Sequence, residues 1–174
     1  MKNSVRWCNK ILASLFLFMI MAYSACASQV LNPAFDDRKW KVGSQSAEET
    51  DMTIEYVLDG ETAENWSELV SVHRFIGLQK KMTLEEYVSG IKENLQKTCP
   101  ALDWYVIGLG DEDLMYAWRI QNCGGQADQW EITRLTWDSE AVHVIRYTHK
   151  SGEIDINLFA TWIYLLKNAT LANQ

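Results

Sequence analysis

Residues 102–148 read LDWYVIGLGDEDLMYAWRIQNCGGQADQWEITRLTWDSEAVHVIRYT, and this stretch decides the fold. It contains four runs rich in β-branched and aromatic residues: Leu102 to Leu109, Leu114 to Asn122, Gln129 to Trp137, and Ala141 to Thr148. Such runs favour strands. Gly110-Asp111-Glu112-Asp113, Gly124-Gly125 and Asp138-Ser139-Glu140 separate them. Loops this short favour antiparallel hairpins, because a parallel crossover needs a dozen or more residues. An antiparallel meander is therefore expected. In the third run the apolar phase changes between Trp130-Ile132 and Leu135-Trp137, which implies either a bulge or burial on both faces.

Working outward, a helix is expected from Thr83. Its hydroxyl can cap the Glu86 amide while the Glu86 carboxylate reaches back, a capping box. Leu84, Tyr87, Val88, Ile91 and Leu95 form one apolar stripe, and Pro100 closes the segment. Two further strands are expected upstream, Thr53 to Leu58 and Leu69 to Ile76, the first turned by Asp59-Gly60. Residues 28–51 are polar and mixed and read as loosely ordered, with Trp40 and Val42 marking a candidate short edge strand. Phe159, Trp162, Ile163 and Leu166 define a closing helix from about Asp155 to Lys167. The order ββ, α, ββββ, α implies an α+β domain: an antiparallel sheet of about six strands packed with two main helices.

The first 27 residues read as a signal peptide. Lys2, Arg6 and Lys10 make a basic start, Ile11 to Tyr23 an apolar stretch, and Ala25-Cys26-Ala27 a small-residue cleavage site. The expected mature chain is a single domain, 28–174, with no transmembrane span, in the periplasm or secreted. A second reading attaches lipid at Cys26, since Ser24-Ala25-Cys26 fits a lipoprotein signal, although Tyr23 stands where an aliphatic residue belongs. The whole chain has 174 residues and a formal net charge of −7. Losing the cationic signal makes the remainder more acidic still. An acidic surface repels phosphate backbones and anionic lipid, so nucleic-acid and membrane-surface partners are disfavoured.

Removal of Cys8 and Cys26 leaves Cys99 and Cys123. In an oxidising compartment an isolated pair with no Cys-x-x-Cys spacing and no nearby His is most simply a disulfide. Tryptophans at 40, 66, 104, 118, 130, 137 and 162 supply core, with a solvent-facing stacking platform as the alternative.

The run from Glu55 to Glu68, EYVLDGETAENWSE, followed by a strand, a capped helix, Cys99-Pro100 and the meander, resembles a family of small exported bacterial proteins of unknown function. The element order and the closing helix with Trp162 are also similar to the PsbP-like α/β/α sandwich of photosystem extrinsic subunits and several bacterial lipoproteins. That architectural similarity implies a fold and carries no activity.

No catalytic residue, metal site or cofactor is assigned. His73, His143 and His149 lack metal-ligand spacing, Gly-x-Ser-x-Gly is absent, and Asp111-Glu112-Asp113 reads as a solvated turn. Glu61, Asn65, Trp66 and Glu68 form the candidate binding surface, acidic and aromatic. The competing reading has Asn65 capping a short turn with Trp66 packed inward. Arg74, Arg119, Arg134 and Arg146 each fall in an expected strand, where those on a common face can pair with acids or hold an anion; the competing and favoured reading is a solvated sheet face. The functional expectation is a non-enzymatic binding or assembly factor for an unidentified protein or small molecule. A small hydrolase or transferase, or a carbohydrate-stacking module, are the alternatives. A cleft joining His73 or His143 with a carboxylate and a serine would favour the enzyme.

Overall fold

The structure, a computed structural model, describes residues 29–110 and 112–173. The signal segment 1–27, with Cys26, lies outside the described residues, as does Asp111. The meander forms as the sequence implies. β5 (Asp103–Leu109), β6 (Asp113–Ile120), β7 (Gln129–Trp137) and β8 (Ala141–His149) pair antiparallel in that order. β8 then pairs with β4 (Glu68–Ile76), β4 with β3 (Asp51–Leu58), and β3 with β2 (Trp40–Ala47), giving one sheet ordered β2-β3-β4-β8-β7-β6-β5.

The pairing of β7 is unbroken along both neighbours, so its phase change reflects burial on both faces and not a bulge. Trp130 and Ile132 enter one core, Leu135 and Trp137 the other. On one side of the sheet lie α2 (Ile156–Lys167) and a ribbon of β1 (Gln29–Asn32) with β9 (Thr170–Asn173). Trp162 is fully buried there, stacked on Tyr147 with ring centroids 4.0 Å apart and edge-on to Trp40 at 5.5 Å. On the other side, α1 (Leu84–Thr98) sends Leu84 and Val88 onto Tyr116, Trp118, Leu135 and Val144.

The expectation of an α+β domain with about six strands and two main helices is corrected to a β-rich sandwich. Strand takes 45% of the described residues and helix 21%, and a second, two-stranded sheet accompanies the seven-stranded one. The added strands lie where side-chain alternation is weakest. β2 carries Gly43, Ser44, Gln45 and Ser46 at an exposed edge, and β1 and β9 have four residues each. Their pairing depends on a partner at the far end of the chain or on a bulge between Val42 and Ser44. The stretch read as loosely ordered thus contributes β1 and β2.

Helix ends are tied to the sheet by named contacts. The Thr83–Glu86 capping box is complete, at 3.1 Å and 2.8 Å. Asp155 accepts from the amides of Asn157 and Leu158 at the start of α2. At its other end Arg134 Nη1 donates to the carbonyls of Leu166, Lys167 and Ala169 at 2.8 to 3.0 Å, while the Asp113 carboxylate holds the rest of the guanidinium at 2.6 Å. A cation at the C-terminus of a helix also meets the negative end of its dipole. Cys99, the residue capping α1, and Cys123, just past β6, are a disulfide-compatible pair with Cα atoms 5.1 Å apart.

Two outcomes follow from these ties. Arg134→Met should lower stability by about 2 to 3 kcal/mol, because orphaned carbonyls and Asp113 lose a charged donor. Urea denaturation measures it, with a wild-type midpoint as the contrary result. Reducing the Cys99–Cys123 pair should lower stability by roughly 3 to 4 kcal/mol, the chain-entropy value for a loop of this size. Denaturation with and without dithiothreitol checks this, and an unchanged midpoint would speak against a bond.

Candidate functional site

Of the candidate surface of Glu61, Asn65, Trp66 and Glu68, only Glu68 is buried. Glu68 begins β4 on the α2 side and is 6% exposed. Arg38 grips its two carboxylate oxygens at 2.5 and 2.7 Å, and the Tyr147 hydroxyl donates to one of them. Glu61 instead accepts from the amide and hydroxyl of Ser67, Asn65 closes a turn through Thr62, and Trp66 carries the Lys150 ammonium 3.8 Å over its ring. These groups are largely engaged within their own loop. Arg38, 30 positions before its acid, is the residue that sequence reasoning missed.

The histidines are equally dispersed. His143 is fully buried and meets Asp138 at 3.0 Å, and Asp138 also takes the amides of Glu140 and Ala141, so the set locks the β7–β8 hairpin without a serine. His149, one residue past the expected strand Ala141 to Thr148, ends β8 and stacks on Trp130. Asp113 of the acidic turn is committed to Arg134. Among the described residues no group of three or more His, Cys, Asp or Glu is placed to hold a metal ion. None of the seven tryptophans is fully solvent-facing: Trp118, Trp130 and Trp162 are buried and the other four are half-buried.

The four strand arginines separate into two kinds. Arg74, Arg119 and Arg134 share the α2 side, and each meets a carboxylate: Glu140 at 3.5 Å, Asp103 at 2.5 Å, and Asp113 at 2.6 Å. Arg146 points to the α1 side, where register places it between Thr133 of β7 and Ser71 of β4. No carboxylate among the described residues lies at ion-pair distance from it. Nη2 donates to the Tyr87 hydroxyl at 3.0 Å, and the buried Nε has no partner. Burial works to lower its pKa, but the charge of Glu131, helped by Tyr87 and Tyr116, holds it above the ordinary value. Arg146 is a half-buried guanidinium with its counter-charge held at a distance.

Glu131 cannot move closer without losing its own bonds. Its carboxylate, 9% exposed, accepts from Trp118 Nε1 at 3.0 Å, Thr133 at 2.7 Å and Thr148 at 3.1 Å. Neutral donors of this kind satisfy a buried carboxylate without neutralising it.

Around Arg146 the α1 side changes character. Over β6, β7 and β8 the face is apolar and covered by α1, whereas over β4, β3 and β2 it presents Ser71, His73, Thr53, Glu55 and Ser44. Thr53, Glu55, His73 and Ser44 are half-buried and belong to neither apolar core. Thr53 Oγ1 lies 3.0 Å from His73 Nδ1, Ser71 Oγ 3.2 Å from Nε2, and Ser44 donates to Glu55 at 2.6 Å. Phe75 stacks beside His73, and Tyr87 leans over Phe75 from α1. This uncovered polar strip, ending at Arg146, is the candidate functional site. His73 contacts a serine there but no carboxylate.

No family model and no curated protein matches the chain. No helix among the described residues is long and apolar enough to cross a membrane.

Burial, reinforced by the Arg146 charge, pushes His73 down to about 4. An unfolded histidine binds a proton near pH 6.5, so between pH 6.5 and 4 the unfolded state holds more protons than the native state and stability falls as pH falls. The loss should approach about 3 kcal/mol at pH 4, and His73→Gln should remove that part of the slope. Urea denaturation from pH 7.5 to 4 reads it; an imidazole titrating near pH 6.5 in the folded NMR spectrum contradicts it.

Proposed function

We propose that the protein is an exported, non-enzymatic binding factor that presents the strip of Ser44, Thr53, Glu55, Ser71, His73 and Arg146 to its ligand. One observation carries this reading: over β2 to β4 the α1 side of the sheet is polar and left without a covering helix among the described residues, while over β6 to β8 the same side is apolar and packed by α1. Polar side chains aligned across four strands offer directional hydrogen bonds on a rigid base, which suits recognition. Export to the periplasm or beyond is supported by the disulfide-compatible pair Cys99–Cys123 and by the signal pattern of the first 27 residues. The resemblance to small exported bacterial proteins agrees with it.

A rival reading as a small hydrolase draws on the Ser71–His73 contact at 3.2 Å. Ser71 is only 5% exposed on the strand floor, and the ring lacks a carboxylate to orient it. A fluorophosphonate probe separates the two readings: no covalent adduct on Ser71 is expected, and stoichiometric labelling would establish the hydrolase.

The binding reading is tested by native mass spectrometry of the protein isolated from its native envelope. A bound species should accompany the wild-type chain and be absent from Thr53→Tyr, which fills the strip with a strand-compatible ring. A species retained equally by both proteins would place binding elsewhere.

A further inference from the structure

We propose that Arg146 anchors a small monocarboxylate with a flat apolar or aromatic body, so that the uncovered strip is a carboxylate-binding site. The inference rests on the reading of that strip as the binding face and adds the ligand class. It begins from the contrast among the arginines. Three guanidiniums in the same sheet form ion pairs with Glu140, Asp103 and Asp113, whereas the fourth has one neutral hydroxyl and, among the described residues, no carboxylate at ion-pair distance. A planar guanidinium matches a carboxylate with paired, charge-assisted hydrogen bonds, and burial strengthens them.

The surroundings restrict what the fourth acid can be. Glu131 is the nearest counter-charge, but its oxygens are taken by Trp118, Thr133 and Thr148. On the other flank, the row Arg146, Ser71, Glu55 runs through successive strands, which puts Glu55 about 10 Å away at ordinary strand spacing. Two carboxylates therefore bracket one cation. A single negative charge fits between them, while a phosphate dianion meets repulsion from both sides. Ser71, Thr53 and His73 supply neutral hydrogen-bonding groups beside the anchor.

The body of the ligand is set by the rings above the anchor. Phe75 and Tyr87 stand 6.4 Å apart between centroids, with the His73 ring 5.8 Å from Phe75. They form an aromatic run that reaches the guanidinium through Tyr87, suited to a flat apolar group. Tyr87 joins the two halves, because its ring belongs to the run and its hydroxyl accepts from Arg146.

The test titrates the full exported chain with benzoate, with its neutral counterpart benzamide, and with inorganic phosphate, by calorimetry and NMR. Benzoate should bind saturably, at least about tenfold tighter than benzamide, and phosphate should show no saturable binding. Benzoate should shift the resonances of Arg146, Tyr87, Phe75 and His73. Arg146→Gln should weaken benzoate by about tenfold or more while leaving benzamide unchanged. If that variant does not fold, the wild-type shift map decides alone. Equal affinity for benzoate and benzamide, tighter binding of phosphate, no saturable benzoate binding, or shifts confined to the α2 side would each overturn the proposal. Should benzoate fail while a native species is still lost in Thr53→Tyr, the ligand class falls and the binding face stands.

Discussion

A seven-stranded sheet exposes two broad faces to water, and its central strands β8 and β7 carry buried apolar side chains on both. Burying such strands requires a layer on each side. On the α2 side that layer is assembled from three pieces remote in sequence: α2, the β1–β9 ribbon, and the segment carrying Phe35 and Trp40. On the other side a single 15-residue helix is available, roughly 22 Å long at 1.5 Å per residue, against a sheet about 30 Å across at ordinary strand spacing. The helix occupies β6 to β8. What lies beyond it must be tolerable in water, and Ser44, Thr53, Glu55 and His73 are. The uneven cover therefore fixes where polar side chains gather.

The same asymmetry explains two buried carboxylates solved differently. Glu68, on the fully covered side, is neutralised by Arg38 and hydrogen-bonded by Tyr147, which ties the segment before β2 to the centre of the sheet. Glu131, beneath α1, is instead satisfied by three neutral donors. Breaking either set would strand a charge away from water, the costly way to lose a buried pair. Arg146 faces Glu131 without touching it because that carboxylate is already saturated. The register partner of Arg146 on the other flank, Ser71, begins the part of the face that α1 does not cover.

Legibility in the sequence follows the range of the interaction. The Thr83–Glu86 capping box, the apolar stripe of α1 and the meander hairpins are local signals, and their boundaries match the observed elements within one or two residues. β1 and β9 pair across almost the whole described chain, and neither four-residue run carries a periodicity of its own. Glu68 reads as a surface acid beside Asn65 and Trp66 because nothing nearby marks its burial; the deciding residue, Arg38, arrives from a different segment. The four arginines are indistinguishable as strand residues. Only strand direction and register send Arg146 to the opposite side from Arg74, Arg119 and Arg134, and only the position of α1 leaves that side half open.

The position of α1 is itself held at both ends, which makes the uncovered strip a fixed feature rather than a passing one. At its start the capping box satisfies the first amides, and Leu84 is buried against the sheet. At its end Cys99 sits beside Cys123, and both are buried at the β6 side of the core. A helix free to slide toward β3 would bury Thr53 and Glu55 with no partners on its own face, and would expose Tyr116 and Trp118. Both changes cost free energy, the first through unsatisfied polar groups and the second through apolar surface returned to water. With the helix pinned over β6 to β8, Tyr87 is held where it can touch Arg146 and Phe75 together. The contact of the two cysteines, distant from the strip, thus bears on where Tyr87 meets the guanidinium at its edge.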